Sequence, residues 1–275
     1  MAIHIPELLT SNSETFIGSI RLEPGGLSFS GYQPYVKGSF FYAEEKWDRR
    51  GSYIEWIKEF FFTHEWLTLT FQKLYVIQAQ ADFTIVPLAF YIEQNKDRLF
   101  PFVCGHHEDK VISSEWKDAK QVILYSMNKE LYDFCLRSLN APSFICPQVP
   151  LFKWWRNESL NKIFKQIHLC IDNGRLNIAC FAQGSLLFSN YYHVKNLEDM
   201  LYYTLYIWKQ FNWNAECDQV HICGDANLVN DFAAALRTYI RQVNILGIPS
   251  DIYLMGDDLL NAPIDIIALS INENN

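Results

Sequence analysis

One order of predicted elements occurs twice in this chain: a hairpin, a third strand, a helix and a further strand. In the first half, two alternating apolar runs within residues 16–32 flank Pro24-Gly25-Gly26, which is typical of a hairpin, and GSFFYAE supplies a third strand. Ser52 then opens a helix, and Glu55 three residues later completes the pattern of a capping box. The runs LTFQKLYVIQAQ and FTIVPLAFY follow as strands.

The second half repeats this order. The pattern predicts three short strands within residues 167–192, a helix over residues 197–211 and a strand at QVHICGD. Asp225 or Asn227 can cap the next helix, and QVNILGI is the last strand. Apolar residues recur every four positions on that helix, at Leu228, Phe232, Leu236 and Ile240. A duplicated β-β-β-α-β-α unit predicts a two-lobed α/β protein with a cleft between its lobes.

The boundary between the two lobes is predicted near residue 160, which gives lobes at residues 1–160 and 161–275. The middle of the chain holds a predicted strand, KQVILYSM, and a predicted helix, NKELYDFCLRSL. The proline-containing stretch APSFICPQVPLFKWW approaches the boundary, followed by a helix near residues 151–164. After IDIIALSI the pattern predicts a polar tail.

The formal net charge of −8 argues against a nucleic-acid partner, because phosphate binding needs clustered Lys and Arg. The first residues, MAIHIPELLT, lack the features of a signal peptide. No stretch reaches the ~18 apolar residues of a spanning helix, so we expect no membrane insertion. Seven cysteines, set mostly in apolar runs, are typical of buried thiols in a reducing compartment. We therefore expect a cytoplasmic protein.

Aromatic residues make up 16% of the chain and form clusters such as FFY, EFFFTHEW, KWW and YYHV. Filling of the core explains such clusters, because large rings dominate burial. The alternative is that some of these rings are exposed and mark a surface that binds a partner.

The duplicated order resembles that of the actin-like ATPase superfamily. The resembling stretches are SIRLEPGGLSFSGY and FTIVPLAFY in the first half, and IHLCIDNGRLNIACFAQGSLLFSNYY and VHICGD in the second. Within the superfamily, the chain is similar to a bacterial family, defined by a domain of unknown function, that is related to the type IV pilus assembly protein PilM. The resemblance covers most of the chain and implies a two-lobed actin-like ATPase (ribonuclease H-like) fold. In that superfamily, each lobe has an Asp-x-Gly hairpin that holds phosphate, and its carboxylates position water or Mg²⁺.

In the first hairpin, the resemblance puts the acid position at Arg21 and the glycine position at Glu23. Arg21 can contact a phosphate, but it cannot coordinate magnesium or accept a proton. Pro24 also removes one backbone donor, which leaves Gly25 and Gly26 in the loop. The first phosphate site is therefore interpreted as degraded.

In the second hairpin, Asp172 and Gly174 match Asp-x-Gly. The resemblance implies that Asp172 holds Mg²⁺ through water and that Arg175 touches phosphate. The loop lacks the expected Ser or Thr residues and is about two residues too short to wrap a phosphate, whereas Asn-Gly is the commonest sequence of a tight two-residue hairpin. We interpret this turn as inherited from a phosphate cradle but serving as a plain hairpin, and a working cradle is the alternative.

At the position that contacts adenosine in the superfamily, CGDANLVNDF retains Gly224 but has Asp225 where a second glycine is expected. Asp225 suits the capping of a helix N-terminus, and its carboxylate would repel a nucleotide phosphate. If nucleotide binding is retained, the residues implied are Arg21, Gly25, Gly26, Asp172, Gly174, Arg175, Gly224 and Asp225.

Other motifs give weaker indications of a metal-binding or catalytic site. CGHHEDK places Cys104, His106, His107 and Glu108 together, but a solvated loop explains them as well as a zinc site does. THEW lacks the second histidine of a zinc-protease helix, and the chain contains no Gly-x-Ser-x-Gly, Walker loop or dinucleotide fingerprint. We therefore identify no catalytic residue.

These patterns favour a non-catalytic actin-like scaffold or interaction module that binds another protein and needs no cofactor. The alternative is a Mg-ATP-binding protein or ATPase that uses the cleft between the lobes. A kinase for a small metabolite would share the fold, but it would need a catalytic base in the cleft. The fold alone does not choose among these functions, and the sequence does not determine an oligomeric state.

Overall fold

The computed structural model describes residues 5–105, 109–250 and 252–274. Its helices are α1 (Glu7–Asn12), α2 (Tyr53–Thr63), α3 (Lys96–Cys104), α4 (Lys129–Ser138), α5 (Gln148–Ser159), α6 (Leu197–Gln210), α7 (Ala226–Leu236) and α8 (Ile264–Asn274). Its strands are β1 (Ile17–Glu23), β2 (Gly26–Tyr32), β3 (Phe41–Lys46), β4 (Lys73–Gln78), β5 (Phe83–Pro87), β6 (Lys110–Trp116), β7 (Gln121–Met127), β8 (Ser143–Ile145), β9 (Gln166–Asp172), β10 (Arg175–Ala182), β11 (Ser185–His193), β12 (Gln219–Gly224) and β13 (Gln242–Ile245).

Two five-stranded sheets share one strand order. The first is β3-β2-β1-β4-β8 and the second is β11-β10-β9-β12-β13. In each sheet the first three strands pair antiparallel, and the last two join in parallel. In chain order, α2 links β3 to β4 and α6 links β11 to β12. Likewise, α4 precedes β8 and α7 precedes β13. The predicted duplication and the predicted α/β fold class are therefore confirmed.

Each sheet buries an apolar face, because successive side chains of a strand point to opposite sides. In the first sheet, Ile20 and Leu22 of β1 belong to a core that includes Ile57 of α2 and Leu131 of α4. The second sheet repeats this with Ile167, Leu169 and Ile171 of β9, Ile207 of α6, and Phe232 and Leu236 of α7. The other face of each sheet carries polar residues, and the candidate site begins there.

A third sheet, in the order β5-β7-β6, interrupts the first half of the chain. It has a small core of its own, formed by Val86, Phe100, Val111, Val122 and Leu124. The sequence pattern predicted β5 and β7. It did not indicate β6 or α3, because β6 is rich in Ser and Glu and α3 contains Pro101. We call this insertion, residues 83–127, the small subdomain.

The chain forms two compact units: residues 1–150 with 249–275, and residues 151–248. These units differ from the predicted lobes in the placement of the C-terminal segment. Residues that sequence analysis interpreted as the end of the second lobe and a polar tail belong to the first unit and form α8. Contacts hold α8 there: Tyr75 donates to Glu273 at 2.7 Å, and the Asn272 amide donates to the Pro150 carbonyl at 2.8 Å.

Three local predictions need correction. Ser52 occupies the N-cap of α2, but its side chain makes no capping hydrogen bond, so the predicted capping box is absent. Helix α5 begins at Gln148 and ends at Ser159, earlier than the predicted 151–164. Leu228 is exposed, although it shares the apolar spacing of the buried Phe232 and Leu236. The predicted cap of α7 is confirmed, because Asp225 accepts a hydrogen bond from the Asn227 N–H.

Most rings of the four aromatic clusters fill the interior, including Phe40, Phe41, Phe60, Trp154 and Trp155. Phe62, in the second of these clusters, is 80% exposed. All seven cysteines are free thiols, and five of them are buried. Among the described residues, no helix combines the length and the apolar character needed to cross a bilayer.

Candidate functional site

The first hairpin closes through two residues, Pro24 and Gly25, because Glu23 pairs directly with Gly26. The carbonyl of Gly25 accepts a hydrogen bond from the Trp47 N–H at 2.9 Å. A Cβ on Gly26 would lie 2.2 Å from the backbone oxygen of residue 45, so β3 passes too close for any residue but glycine. Of the two predicted phosphate-binding glycines of this loop, Gly26 is thus packed against the protein's own backbone, and the Gly25 carbonyl is bound by Trp47.

The second hairpin is also a two-residue turn. Asp172 pairs with Arg175, and the central residues Asn173 and Gly174 have φ values of 46° and 74°. Two successive positive φ values define the type I′ turn, which suits the twist of antiparallel strands and favours Asn-Gly. The Gly174 carbonyl accepts a hydrogen bond from the Val194 N–H at 2.9 Å. The interpretation of this motif as a tight hairpin therefore agrees with the geometry.

When the residues of the two hairpins are aligned by their turns, one predicted correspondence between the two halves of the chain changes. Because both loops contain two residues, Glu23 occupies the place of Asp172, and Gly25 occupies the place of Gly174. The placement of the acid position at Arg21 is thus corrected: the first hairpin carries its carboxylate at Glu23. Arg21 lies two residues before it, on the same face of β1.

Arg21 is only 2% exposed and lies between two carboxylates. Its Nε donates to Asp265 Oδ2 at 2.8 Å, and its Nη1 donates to Glu23 Oε2 at 2.5 Å. Asp265 is buried in the first turn of α8. The guanidinium therefore serves as the counter-ion of the hairpin carboxylate and of a carboxylate from the end of the chain. We call Arg21, Glu23 and Asp265 the arginine cluster.

Arg175 is also buried, at the first position of β10. Its guanidinium carbon lies 3.9 Å from the ring centroid of Tyr191 on β11. At this distance a guanidinium and a ring attract through a cation–π interaction. Arg175 thus contacts the neighbouring strand, and the half-buried Asp172 lies beside it at the turn.

Gly224 ends β12 in a conformation that requires glycine. Its φ is 108°, and a Cβ there would lie 2.0 Å from the backbone oxygen of Ile171. The Asp225 N–H donates to that same oxygen at 2.9 Å. Asp225 then caps α7, so its backbone and its side chain both have structural roles.

The predicted residues fall into two groups. Gly224 pairs with Ile171, the residue before Asp172, so the ends of β9 and β12 lie side by side. The second unit therefore brings together Asp172, Gly174, Arg175, Gly224 and Asp225. The first unit brings together Arg21, Gly25 and Gly26.

The residues present fit a nucleotide and its metal poorly. The first carboxylate already has an internal cation, the second turn is closed by its own hydrogen bonds, and the Asp225 oxygen binds a helix N–H. Within residues 5–105, 109–250 and 252–274, no cluster of three His, Cys, Asp or Glu side chains could hold a metal ion. Mg²⁺ held by Asp172 through water remains a prediction.

The CGHHEDK segment can be described in part. His106, His107 and Glu108 lie outside the described residues. The Cys104 thiol donates to the Phe83 carbonyl at 3.6 Å, and burial raises its pKa to about 11. A thiol with this pKa is protonated at neutral pH, so it is a weak nucleophile.

Sequence analysis missed Asp265. The only indication was a single acid near the start of the apolar run IDIIALSI, and its partner Arg21 lies 244 positions away.

Sequence analysis also missed a stack of rings on the polar face of the second sheet. His168 of β9 is fully buried between Trp155, at 5.4 Å, and His221, at 4.9 Å. Burial, with a contribution from His221, holds the pKa of His168 well below its usual range, and burial lowers that of His221 to about 4.

The paired sheets and their shared strand order define an α/β protein with the actin-like ATPase fold. Residues 6–243 match the family described as "Protein of unknown function (DUF3822)". The chain belongs to that family.

Solved structures agree on the fold. A crystal structure from Bacteroides thetaiotaomicron VPI-5482, of a protein with actin-like ATPase fold and unknown function, matches with a TM-score of 0.80 and 25% identity over 97% of this chain and 98% of that one. A chain of the PilM–PilN type IV pilus biogenesis complex matches with a TM-score of 0.54 and 9% identity, over 94% and 98% of the two chains. The expected likeness to PilM is confirmed at the level of fold. Curated proteins gave no match.

Proposed function

We propose that this chain is a non-catalytic protein of the actin-like fold that serves as a scaffold for a protein partner. The observation that carries the proposal is the arginine cluster. An actin-like ATPase uses its hairpin carboxylate to position water or Mg²⁺, whereas Glu23 here faces the buried guanidinium of Arg21. A cation approaching Glu23 would meet that positive charge at short range, which disfavours the binding of a metal.

The second hairpin supports the same proposal. Its two-residue turn is complete without a ligand, because Val194 satisfies the Gly174 carbonyl and Asn173 and Gly174 already have the φ values of a type I′ turn. A phosphate needs several inward-pointing N–H groups, and a loop of two residues offers few of them.

Exposed apolar side chains on the small subdomain support a protein partner. Phe90 is 79% exposed and Phe102 is 87% exposed, and Ile92 and Val103 beside them are more than half exposed. Exposed apolar groups of this kind commonly mark protein-binding surfaces. PilM, which has the same fold, occurs in a complex with PilN, so a partner-binding role for an actin-like protein has a parallel.

Calorimetric titration with Mg-ATP and with Mg-ADP at millimolar ligand tests the first half of the proposal. We expect no saturable heat from the folded protein. Saturable binding that weakens in Asp172→Ala would overturn the proposal and favour the alternative, a Mg-ATP-binding protein. The residues responsible would then be the second-unit group of Asp172, Gly174, Arg175, Gly224 and Asp225.

A cross-linking capture experiment in cells that express the chain tests the second half. We expect that Phe90→Ser together with Phe102→Ser abolishes the cross-linked partner seen with the wild type. Phe62→Ser is the matched control, because Phe62 is 80% exposed but lies on α2, outside the small subdomain. Equal capture by the double variant and the control would remove this surface from the proposal.

We also propose a cytoplasmic location. The seven free cysteines support it, because thiols persist unpaired in reducing compartments. Labelling of unfolded protein, taken directly from cells, with a thiol reagent tests it. We expect all seven thiols to react without prior reduction, and the presence of disulfides would contradict the proposal.

A further inference from the structure

Two neighbouring strands of the second sheet carry the same polar residues in the same register. Strand β9 reads QIHLCID, and the segment QVHICGD begins with β12. The two strands pair in parallel, with Gln166 opposite Gln219, His168 opposite His221 and Cys170 opposite Cys223. Alternate residues of a strand share a face, so all six side chains lie on the polar face of this sheet.

The side chains of these pairs meet across the two strands. The Gln166 amide donates to Gln219 Oε1 at 3.0 Å, and the centroids of the two histidine rings lie 4.9 Å apart. The cysteines have the same register, and the Cys223 thiol donates to the Leu169 carbonyl at 3.5 Å. The Cys223 sulfur therefore leans toward β9, the strand that carries Cys170. We call Cys170 and Cys223 the thiol pair.

A disulfide can bridge the thiol pair, but it would be strained. Neighbouring strands lie about 4.8 Å apart, within the Cα separations of about 4.4–6.8 Å that disulfides span. The bond also needs its two Cβ atoms about 3.8 Å apart, so its formation draws β9 and β12 together. Strained disulfides are the more easily reduced ones, so this position suits a reversible bond better than a permanent one.

Burial determines which oxidants act on the thiol pair. Cys170 is 1% exposed and Cys223 is 4% exposed, so a small peroxide reaches them more readily than a bulky disulfide does. Among the described strands, the register sets no other two cysteines opposite each other. In a reducing compartment the dithiol is the resting form, so a bond formed only under oxidation is consistent with the proposed cytoplasmic location.

We propose that Cys170 and Cys223 form a reversible disulfide when the protein is exposed to a peroxide. With hydrogen peroxide, the sulfur of one thiol attacks an oxygen, the O–O bond breaks, and a sulfenic acid and a water molecule form. The second sulfur then attacks the sulfenic sulfur, and the hydroxyl group leaves with the thiol proton as another water molecule. The two thiols are oxidised and the peroxide is reduced. Thiol reductants such as glutathione reverse the bond by exchange.

The bond acts on the ends of both strands. Cys170 lies two residues before Asp172, and Cys223 lies two residues before Asp225, which caps α7. The Asp225 N–H donates to the Ile171 carbonyl at 2.9 Å, so a shift of β9 against β12 strains this hydrogen bond. We expect hydrogen exchange at Asp225 to become faster in the oxidised protein. The inference is independent of nucleotide binding and of a protein partner.

Oxidation of the folded, purified chain with hydrogen peroxide tests the proposal. The remaining thiols are alkylated, the chain is digested without reduction, and the peptides are identified by mass spectrometry. We expect the main disulfide product to link the peptides that contain Cys170 and Cys223, and dithiothreitol to separate them. Cys223→Ser should abolish this linked product. Cys217→Ser is the matched control and should retain it, because Cys217 lies outside the strands of the sheet.

Two further measurements protect the test. Cys170→Ala should abolish the same linked product, which covers the case in which Cys223→Ser does not fold. The wild type oxidised in urea should give mixed pairings, because the unfolded chain has no strand register. A thiol pair that stays reduced while Cys104 and Cys217 are oxidised overturns the proposal, as do sulfinic acids without a link or equal linkage in urea. Unchanged exchange at Asp225 in the bridged protein overturns the inferred effect on the strand ends.

Discussion

The two hairpins that open the two sheets occupy the same place in the same strand order, yet they are stabilised in different ways. In the first, Glu23 is bound to Arg21, and Arg21 is bound to Asp265 of α8. In the second, Asp172 has no corresponding arginine two residues before it, since that position is Cys170. The second hairpin has a type I′ turn whose Gly174 carbonyl is bound by the Val194 N–H, and the first carries an ion pair to a distant part of the chain.

This difference shows how one fold persists after its ligand chemistry changes. A carboxylate near a hairpin needs compensation for its charge, and a metal, a positive side chain or water can supply it. In the first half a buried arginine supplies it. In the second half the half-buried Asp172 lies beside the buried Arg175 at the turn. The strand order is unaffected, because the apolar faces of both sheets determine it.

The largest expected effect follows from removing the arginine of the first half. Arg21→Ala removes the cation that both Glu23 and Asp265 contact, and we expect a loss of about 3–5 kcal/mol in the free energy of unfolding. Urea denaturation of the purified protein measures it. Arg50→Ala is the matched control, because Arg50 pairs with Asp48 on the surface, where such pairs contribute about 1 kcal/mol or less.

The double variant Arg21→Met with Asp265→Leu sharpens the interpretation. Replacing a buried ion pair by apolar residues is often tolerated, so we expect this variant to recover much of the stability lost in Arg21→Ala. A destabilisation by Arg21→Ala no larger than that of the control would contradict the role assigned to the cluster.

The next effect concerns the polar face of the second sheet, where the buried His168 stacks on His221. His168 has a pKa well below its usual range in the folded protein, whereas the unfolded chain binds its proton near pH 6.5. Below that pH the unfolded state binds more protons, so stability falls as the pH falls, by up to about 1.4 kcal/mol per pH unit for this group. Thermal melting between pH 7 and pH 5 measures the slope.

His168→Phe retains a ring in the stack and removes the titrating group, so its melting temperature should depend less steeply on pH than that of the wild type. His193→Phe is the matched control, since His193 is exposed on β11. Parallel pH profiles for the wild type and His168→Phe would show that other groups cause the acid sensitivity.

The sequence predicted those parts of the molecule that depend on short-range pattern. Alternating apolar runs identified both hairpins, and four-residue spacing identified α6 and α7, because each pattern reflects one buried face. The Asn-Gly turn was recognised from local turn chemistry, because both residues readily adopt positive φ. The arginine cluster was not, because an ion pair between Arg21 and Asp265 leaves no periodic trace in either segment. Its discovery required the position of α8, whose residues had been assigned to the end of the second lobe and a polar tail.

In the candidate site, too, some features could be predicted from the sequence and others could not. Asp172, Gly174 and Gly224 lie near one another because β9, β10 and β12 are neighbours in the sheet, and their role in nucleotide binding stays a prediction. Sequence analysis placed the acid of the first hairpin at Arg21, because loop length cannot be read from composition alone. The two-residue loop moves that position to Glu23.

The smallest effect compares the two turn glycines that occupy equivalent places. Gly174 has a φ of 74°, whereas Gly25 does not have a positive φ and has open space where a Cβ would stand. Gly174→Ala should therefore cost about 1 kcal/mol of unfolding free energy, because a Cβ strains the left-handed conformation. Gly25→Ala should change it by less than about 0.5 kcal/mol. Urea denaturation of both variants measures the difference, and equal costs would mean that the two turns share one conformation, which would remove the contrast between the hairpins.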